Sequence, residues 1–342
     1  MSVNLSTPFE QNGFTLKNRI VMPPMCQYSV TAQDGKPNDW HYVHYVSRAI
    51  GGVGLINMEM TNVEPDGRIT NQCLGLWSDD HIPAFARIID AVHQYDTKIG
   101  IQIAHAGRKS EDAVQPVSST NVAFSSQYRQ PRALTTDETK RMVELFRDAV
   151  VRAVKAGVDT VQLHGAHGYL IHQFHSPGTN DRTDVYGDDP ARFGIEIIQA
   201  AKSVLPSHVK LQMRVSAADY GEGGYDLDYG VELCRKYKAA GVELFDISSG
   251  GGTSTNPRGL GGGVYPGYQL HMARAVKEAT GLPVIAVGLL DEPKLALSAV
   301  ASGDCDFVAV GRGMLRDPYW ALHAQQATDG RVEPPKAYVR GY

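Results

Sequence analysis

Short apolar runs alternate with amphipathic stretches along the whole chain. Each apolar run has the length of a strand, and the stretch after it carries apolar residues at helical spacing. The eight predicted strands are Arg19–Met22, Gly54–Met60, Ile99–Ala104, Val158–Leu163, Val209–Val215, Leu244–Ile247, Val284–Val287 and Phe307–Val310. The eight predicted helices cover 39–50, 80–95, 137–156, 190–204, 228–240, 268–280, 292–302 and 317–327. Regular alternation indicates an α/β fold with a parallel sheet. Eight strand–helix units fit a TIM (β/α)8 barrel better than a doubly wound sheet.

No Pro/Gly/Ser-rich linker divides the sequence, so we expect a single domain over residues 1–342. Three segments lie outside the repeat. Residues 8–17 predict a hairpin whose turn is Asn12-Gly13. Residues 111–136 are long, polar and proline-containing, which indicates a lid over the barrel mouth. The glycine-rich segment 250–263 predicts a flexible loop, of which Gly250–Gly252 could let a ligand approach closely.

Composition limits the classes of partner. The net charge of −4 gives no reason to expect nucleic acid or an anionic membrane. The N-terminal residues lack a secretory signal, and no apolar run approaches membrane-spanning length. The four cysteines are scattered without C-x-x-C spacing, so neither an iron–sulfur cluster nor a zinc ribbon is indicated. A cytoplasmic protein is therefore expected.

The segment 164–187 carries the densest chemistry. His164 ends the fourth predicted strand, His167 lies in the following turn, and Tyr169 comes two residues later. Two neutral imidazoles can donate hydrogen bonds to one carbonyl oxygen, and a phenol can deliver a proton to carbon. Zinc is the alternative, since His172 and His175 follow closely and imidazole is a common metal ligand. The three-residue spacing and the lack of a nearby carboxylate disfavour a zinc site, and no metal is expected.

A phosphate site is predicted at the ends of the last two strands. In TIM barrels the loops after strands seven and eight often bind phosphate. Strand seven ends at Gly288, and strand eight is followed by Gly311 and Arg312. Glycines let backbone N–H groups approach phosphate oxygens, and an arginine adds a charge-assisted donor.

The sequence resembles the Old Yellow Enzyme family of flavin-dependent ene-reductases over essentially its whole length. In the segment 164–187 the match includes both histidines, Tyr169, Asn180, Arg182 and Asp184. Further matching motifs lie at 16–25, 105–109, 214–217 and 310–318. The details at Cys26 and Tyr28 are similar to the bacterial thermophilic-like branch of NADPH dehydrogenases.

This resemblance implies bound FMN, with NADPH, or also NADH, as the hydride donor. The residues expected around the flavin ring are Pro23, Pro24, Met25, Cys26, Met60, Gln102 and Arg214. Gly288, Gly311 and Arg312 are expected to hold the flavin phosphate. The implied reaction is ping-pong: hydride passes from the nicotinamide through FMN to the β-carbon of an activated alkene, which is an unsaturated carbonyl or nitro compound. In that reaction we expect His164 and His167 to hold the carbonyl oxygen and Tyr169 to protonate the α-carbon.

The resemblance also implies a homodimer or homotetramer. Tyr28 is expected to line the substrate pocket, and Arg340 in the tail 330–342 to reach the site of a neighbouring subunit. Met60 departs from the branch, which often has a smaller residue there, so we expect a reshaped pocket. The sequence 186–189 and the lid sequence 128–132 depart as well.

Three other functions are compatible with parts of this sequence. The large enoate and dienoyl-CoA reductases share the histidine segment, but they carry a cysteine cluster and a further nucleotide-binding domain, neither of which we expect here. A zinc-dependent barrel hydrolase would use the histidines at 164–175. A protein that stores FMN without turnover would keep its flavin colour when NADPH is added.

Overall fold

The computed structural model describes residues 3–255, 263–330 and 332–342. Its strands, in chain order, are β1 (Phe9–Gln11), β2 (Phe14–Leu16), β3 (Ile20–Met22), β4 (Leu55–Asn62), β5 (Leu74–Gly75), β6 (Lys98–Ala104), β7 (Val117–Ser118), β8 (Arg132–Ala133), β9 (Thr160–Gly165), β10 (Lys210–Ser216), β11 (Leu244–Ser248), β12 (Val284–Ala286) and β13 (Phe307–Ala309). Its α-helices are α1 (Asp39–Ile50), α2 (Ile82–His93), α3 (Thr136–Lys155), α4 (Leu170–His175), α5 (Val185–Asp188), α6 (Arg192–Val204), α7 (Leu227–Ala240), α8 (Leu270–Thr280), α9 (Pro293–Ala301), α10 (Arg312–Arg316) and α11 (Trp320–Asp329).

Eight of these strands form a closed parallel barrel. They follow one another in the order β3, β4, β6, β9, β10, β11, β12 and β13, and β13 pairs with β3 to close the ring. Each overlaps one of the eight predicted strands, so the prediction of a TIM barrel is confirmed. All residues of β4, β9 and β10 are buried, because helices cover the outside while side chains fill the inside.

Helix ends follow local capping chemistry. At the start of α3, the Thr135 hydroxyl oxygen accepts from the backbone N–H of Glu138, and the Glu138 carboxylate accepts from the backbone N–H of Thr135. Glu292 caps α9, whose first residue is Pro293. The eight predicted helices are all present in the described residues, within a few residues of their predicted ends. Helices α4, α5 and α10 were not predicted, since four to six residues are too few to display a helical period.

The N-terminal hairpin covers one end of the barrel. β1 and β2 pair antiparallel, and the turn residues Asn12 and Gly13 have φ of 51° and 74°. Phe14 and Leu16 are buried in a cluster with the residues that begin the barrel strands, such as Leu55 and Phe307. This hairpin therefore closes the N-terminal end of the barrel and leaves its C-terminal end for function.

Two long connections and the C-terminal tail lie outside the regular strand–helix units. Residues 111–136 contain β7 and β8, which pair with each other in parallel. Part of the predicted glycine-rich loop, residues 256–262, lies outside the described residues. The tail ends in a short 3-10 helix over Lys336–Gly341. In the described parts of the chain, no helix has both the length and the apolar character that a bilayer crossing requires.

Candidate active site

A cavity of about 300 Å³ opens at the C-terminal ends of the barrel strands. Its size and place are those of a cofactor site in a barrel enzyme. The predicted site residues that line it are Pro23, Pro24, Met25, Arg214, Gly288, Gly311 and Arg312. These residues come from four different strand ends, so the fold brings together positions that lie far apart in the sequence.

Two glycines keep one wall of this cavity open. Gly288 has φ of 134°, and a Cβ there would lie 3.2 Å from Nε2 of Gln269. A Cβ on Gly311 would lie 3.3 Å from Sδ of Met25. A side chain at either position would therefore be strained or crowded. Arg312 is exposed beside them, and the set suits an anionic group such as phosphate.

His164, His167 and Tyr169 converge at the end of β9. The rings of His164 and His167 meet edge to face with centroids 5.3 Å apart, and His164 meets Tyr169 at 4.9 Å. His164 is buried, and its Nδ1 has no hydrogen-bond partner in the described residues. A buried polar atom of this kind usually has a partner, so its environment fits a bound polar group.

Local backbone geometry fixes the turn that carries these side chains. His167 has φ of 59°, its N–H donates to Oγ of Ser216 at 3.1 Å, and its Nε2 lies 2.8 Å from Oγ of Ser248. Gly168 has φ of 74°, and a Cβ there would overlap the carbonyl oxygen of Gly251. The N–H of Gly168 donates to Nδ1 of His172 at 3.0 Å. The turn is thus held from β10, from β11 and from α4.

Burial sets the protonation states of the three predicted catalytic side chains. It lowers the pKa of His164 and of His167 well below the usual value, and the nearby Arg214 guanidinium lowers both further. Burial also raises the pKa of Tyr169 well above its usual value. At neutral pH both imidazoles are therefore uncharged, and the phenol keeps its proton.

The predicted residues of the first strand end lie beside this cluster. Cys26 and Tyr169 pack against a buried apolar group that includes Met60 and Cys73. Burial raises the pKa of Cys26, so its side chain is a neutral thiol. Tyr28 has φ of 49° and is 44% exposed, so its ring is accessible for contact with a ligand. Met60 is 1% exposed, which shows that its long side chain is used in packing.

A buried carboxyl group supports the same loop. Glu59, next to Met60 on β4, accepts the N–H of Gln27 at 2.8 Å and the hydroxyl of Tyr45 at 3.2 Å. His41 approaches Glu59 at 3.4 Å. Burial raises the pKa of Glu59 to about 8 and lowers that of His41 to about 4. Both groups are therefore uncharged near pH 6.

Lys109 joins the site, although the sequence showed it only as part of a family motif. Its Nζ donates to the carbonyl oxygens of His167 and Gly251, at 2.9 and 3.1 Å. The same Nζ lies 4.3 Å from the ring centre of Phe124 and 5.3 Å from that of Tyr169. Phe124 belongs to the predicted lid, whose function stays a prediction. Burial lowers the pKa of Lys109 to about 8.

Gln102 lies inside the barrel on β6, next to residues that the sequence analysis did not select. Its Nε2 donates to Oε1 of Gln162 at 2.8 Å, and Nε2 of Gln162 lies 3.2 Å from Oδ2 of Asp246. Asp246 in turn lies 3.5 Å from Nε of Arg214. The signal in the sequence is that Gln102, Gln162 and Asp246 are polar residues within apolar runs, which is unusual in strands buried on both faces.

Arg340 does not reach the cavity of its own chain. It is exposed in the tail and lines a shallow surface hollow with Tyr319, His323 and Tyr342. Its contribution to a neighbouring subunit stays a prediction.

The histidines proposed for the zinc alternative do not meet at one point. His172 and His175 stack with ring centres 4.9 Å apart, are completely buried and share Tyr225 as neighbour. The ring of His164 contacts those of His167 and Tyr169 instead. Across residues 3–255, 263–330 and 332–342, no group of three or more histidine, cysteine or acidic side chains is arranged to hold a metal ion. The zinc hydrolase is therefore not supported.

Comparison with known proteins gives a consistent result. Residues 4–330 match the model of the NADH:flavin oxidoreductase / NADH oxidase family. The chain is 41% identical over 345 residues to an NADPH dehydrogenase of Bacillus subtilis, and 100% of each chain is covered. It is 41% identical over 341 residues to an NADPH dehydrogenase of Listeria monocytogenes, covering 99% of each.

Solved structures agree on the fold. Morphinone reductase superposes with a TM-score of 0.81 at 26% identity, over 98% of this chain and 93% of that one. A 2-naphthoyl-CoA reductase superposes with a TM-score of 0.88 at 24% identity. That likeness covers 96% of this chain but only 52% of the reductase, so this chain spans about half of its length.

Proposed function

Because this chain belongs to the NADH:flavin oxidoreductase / NADH oxidase family, also called the Old Yellow Enzyme family, we propose that it is an ene-reductase. It is an FMN-dependent oxidoreductase by family. As its reaction we propose the reduction of activated alkenes, with NADPH or NADH as donor. The observation that carries the proposal is the convergence of two neutral histidines and a protonated tyrosine at one strand end.

The residues of the cavity fit FMN. The open backbone at Gly288 and Gly311, together with Arg312, would hold the phosphate. Met25 and the prolines at 23–24 line the same cavity and would contact the ring system. The buried Arg214 has an unpartnered Nε in the described residues and offers positive charge to the pyrimidine part of the flavin, which Gln102 would also contact.

When bound, FMN would supply the hydride-transfer chemistry between the nicotinamide and the β-carbon of the alkene. The protein supplies the polarisation and the proton. His164 and His167 donate hydrogen bonds to the carbonyl or nitro oxygen, where negative charge grows as the β-carbon is reduced. Because both imidazoles are neutral, they stabilise this charge without giving up a proton.

Tyr169 delivers the proton to the α-carbon. A raised pKa keeps its phenol protonated throughout the neutral range, so the group is always ready to act as the acid. Its ring packs against His164 and beneath Nζ of Lys109, which orients the hydroxyl relative to the oxygen-binding histidines. The thiol of Cys26 packs in the same cluster as Tyr169 and Met60, and the exposed ring of Tyr28 is available to contact the alkene. The reshaping of the pocket by Met60 is part of this proposal.

We also propose that the protein is a cytoplasmic homodimer or homotetramer in which Arg340 enters the site of a neighbouring subunit. The support is the exposed, aromatic-rich tail, in which Tyr338 and Tyr342 are 41% and 39% exposed.

One anaerobic titration tests the reaction class. Flavin absorbance is followed while NADPH is added to the purified protein, and cyclohexenone is then added to the reduced enzyme. We expect bleaching by NADPH and recovery by the enone. A flavin that NADPH does not bleach would identify a binding protein, and reduction without recovery by the enone would exclude alkene reduction.

A further inference from the structure

A buried chain of polar groups connects Gln102 to Arg214 through the interior of the barrel. Gln102 Nε2 donates to Gln162 Oε1 at 2.8 Å. Gln162 Nε2 donates both to Asp246 Oδ2 and to Gln212 Oε1, each at 3.2 Å. Asp246 Oδ2 lies 3.5 Å from Nε of Arg214. Gln162 and Asp246 are both completely buried, so water does not compete for these contacts.

The chemistry of Asp246 decides the orientation of both amides. A carboxylate only accepts hydrogen bonds, so Gln162 must turn its NH2 group towards Asp246. The carbonyl oxygen of Gln162 then faces Gln102, and the NH2 group of Gln102 donates a hydrogen bond to it. The carbonyl oxygen of Gln102 makes no hydrogen bond in the described residues and is left for a ligand.

The flavin pyrimidine edge carries an N3–H donor between two carbonyl acceptors. An amide whose carbonyl oxygen and second N–H are both free matches that edge, whereas the flipped amide would place NH2 against N3–H. The orientation of Gln102 that FMN needs is therefore the one that Asp246 imposes through Gln162.

Asp246 also affects the positive potential that Arg214 creates in the site. Its Oδ1 and Nε of Arg214 are buried without hydrogen-bond partners in the described residues, and the two residues form an ion pair. Burial raises the pKa of Asp246, and the Arg214 guanidinium works against that rise. In a low-dielectric interior, a carboxylate at this distance cancels part of the positive potential that Arg214 offers to a ligand.

We propose that Asp246 is a positioning residue for the flavin, which orients Gln102 through Gln162 and moderates the charge of Arg214. The inference rests on the proposed placement of FMN against Gln102 and Arg214. It predicts two separable effects: loss of the amide orientation weakens FMN binding, and loss of the carboxylate raises the reduction potential, since reduced flavin carries negative charge.

The experiment measures the FMN dissociation constant and the midpoint potential of the holoprotein for Asp246→Asn and Gln162→Leu. For Asp246→Asn we expect the equilibrium constant for two-electron reduction of the flavin to rise at least tenfold. This corresponds to a rise of about 30 mV in the midpoint potential. For Gln162→Leu we expect FMN to bind about tenfold more weakly, with a smaller change in potential because the Asp246–Arg214 pair remains.

Asp159→Asn is the matched control. It removes the same charge at the opposite end of the barrel, where Asp159 precedes β9 and pairs with Lys98. We expect it to leave the potential unchanged. A potential for Asp246→Asn equal to that of the control overturns the charge role, and unchanged FMN affinity in Gln162→Leu overturns the orienting role.

Two further variants separate this inference from the placement of FMN itself. Gln102→Leu and Arg214→Gln remove the groups proposed to touch the flavin. If neither changes affinity or potential, the placement is wrong. If both do and Asp246→Asn does not, only the role of Asp246 is wrong. Thermal unfolding of the FMN-free proteins checks that every variant is folded.

Discussion

Nζ of Lys109 donates a hydrogen bond to the carbonyl oxygen of His167 at 2.9 Å and so ties the loop after β6 to the turn after β9. A second bond at 3.1 Å extends the tie to Gly251 after β11. One half-buried ammonium group thus connects three strand-end loops, and it also lies over the Tyr169 ring. The backbone that presents His167 and Tyr169 therefore depends on a residue that reaches it from another loop.

We predict that Lys109→Met lowers kcat/KM for alkene reduction at least about tenfold, because two carbonyl acceptors lose a charge-assisted bond worth roughly 1.5–3 kcal/mol. Steady-state kinetics with cyclohexenone measure the loss. Lys36→Met is the control, since Lys36 makes only a surface ion pair with Asp80. Equal activity in the two variants would remove Lys109 from the site.

Tyr169→Phe removes the proposed proton donor and little else. General-acid catalysis contributes about 10²–10⁴-fold, so the oxidation of reduced flavin by the enone should slow by that order. Flavin reduction by NADPH needs no such proton and should change much less. Anaerobic stopped-flow absorbance separates the two half-reactions. Similar losses in both would argue against the assignment.

The two histidines should bind phenolic ligands as neutral groups. We expect His164→Ala and His167→Ala each to weaken phenol binding about tenfold or more, by loss of a hydrogen bond to the bound oxygen. Because the pKa values of both are lowered well below the usual range, affinity should show no histidine titration between about pH 6 and 8.

Optical titration of the flavin band at several pH values measures this affinity. His208→Ala, at an exposed position, is the control and should bind the phenol as the unsubstituted protein does. Unchanged affinity in both site variants would contradict the oxygen-binding role.

Glu59 makes stability depend on pH in a defined direction. Its pKa is raised from 4.5 to about 8, so the folded state holds a proton that the unfolded state releases. Its stabilising contribution is complete below pH 4.5 and is lost as the pH rises towards 8, at up to about 1.4 kcal/mol per pH unit. Glu59→Gln should therefore gain stability relative to the parent between pH 5 and 8.

Urea unfolding of both proteins at pH 5 and pH 8 measures that difference. The titration of His41 also contributes to the parent's pH dependence, but it is present in both proteins and largely cancels in the comparison. Glu232→Gln, at a side chain that is 64% exposed, is the control substitution. A constant difference for Glu59→Gln would refute the raised pKa.

Arg340→Ala tests the proposed contribution between subunits. Arg340 is exposed in its own chain, so its loss should leave the melting temperature unchanged. If it enters a neighbouring site, the KM for the alkene should rise several-fold while light scattering shows the same assembly. Lys336→Ala, in the same exposed tail, is the control. A KM equal to that of the control would exclude the role.

The barrel could be predicted from sequence because its signal is local and repeated. Each strand is a short apolar run, and each helix carries its own period, so errors at one element do not affect the next. The order of strands then follows from the right-handed connection of parallel strands. The placement of Arg214, Gly288 and Arg312 at one cavity followed from the same rule, since strand ends meet at one face of the barrel.

The interior network and Lys109 could not be predicted in this way. Gln162 and Asp246 each have apolar residues on both sides in the sequence. Two hydrogen-bond partners of Gln162 in this network, Gln102 and Asp246, lie 60 and 84 residues away from it. The periodicity of apolar residues along the sequence does not indicate which polar residues contact one another across a barrel. The contacts of Lys109 could not be predicted either, because its long flexible side chain reaches its partners only when three loops have taken their folded positions.

The hairpin that packs Phe14 and Leu16 under the barrel has a kinetic consequence. Because side chains fill the barrel interior and the hairpin covers its N-terminal end, reactants enter and leave the site at the C-terminal face of the barrel. For the proposed reaction, the spent nicotinamide must leave before the alkene enters, so each reactant obstructs the admission of the other. At fixed alkene concentration, turnover should therefore rise with NADPH, pass through a maximum and then fall.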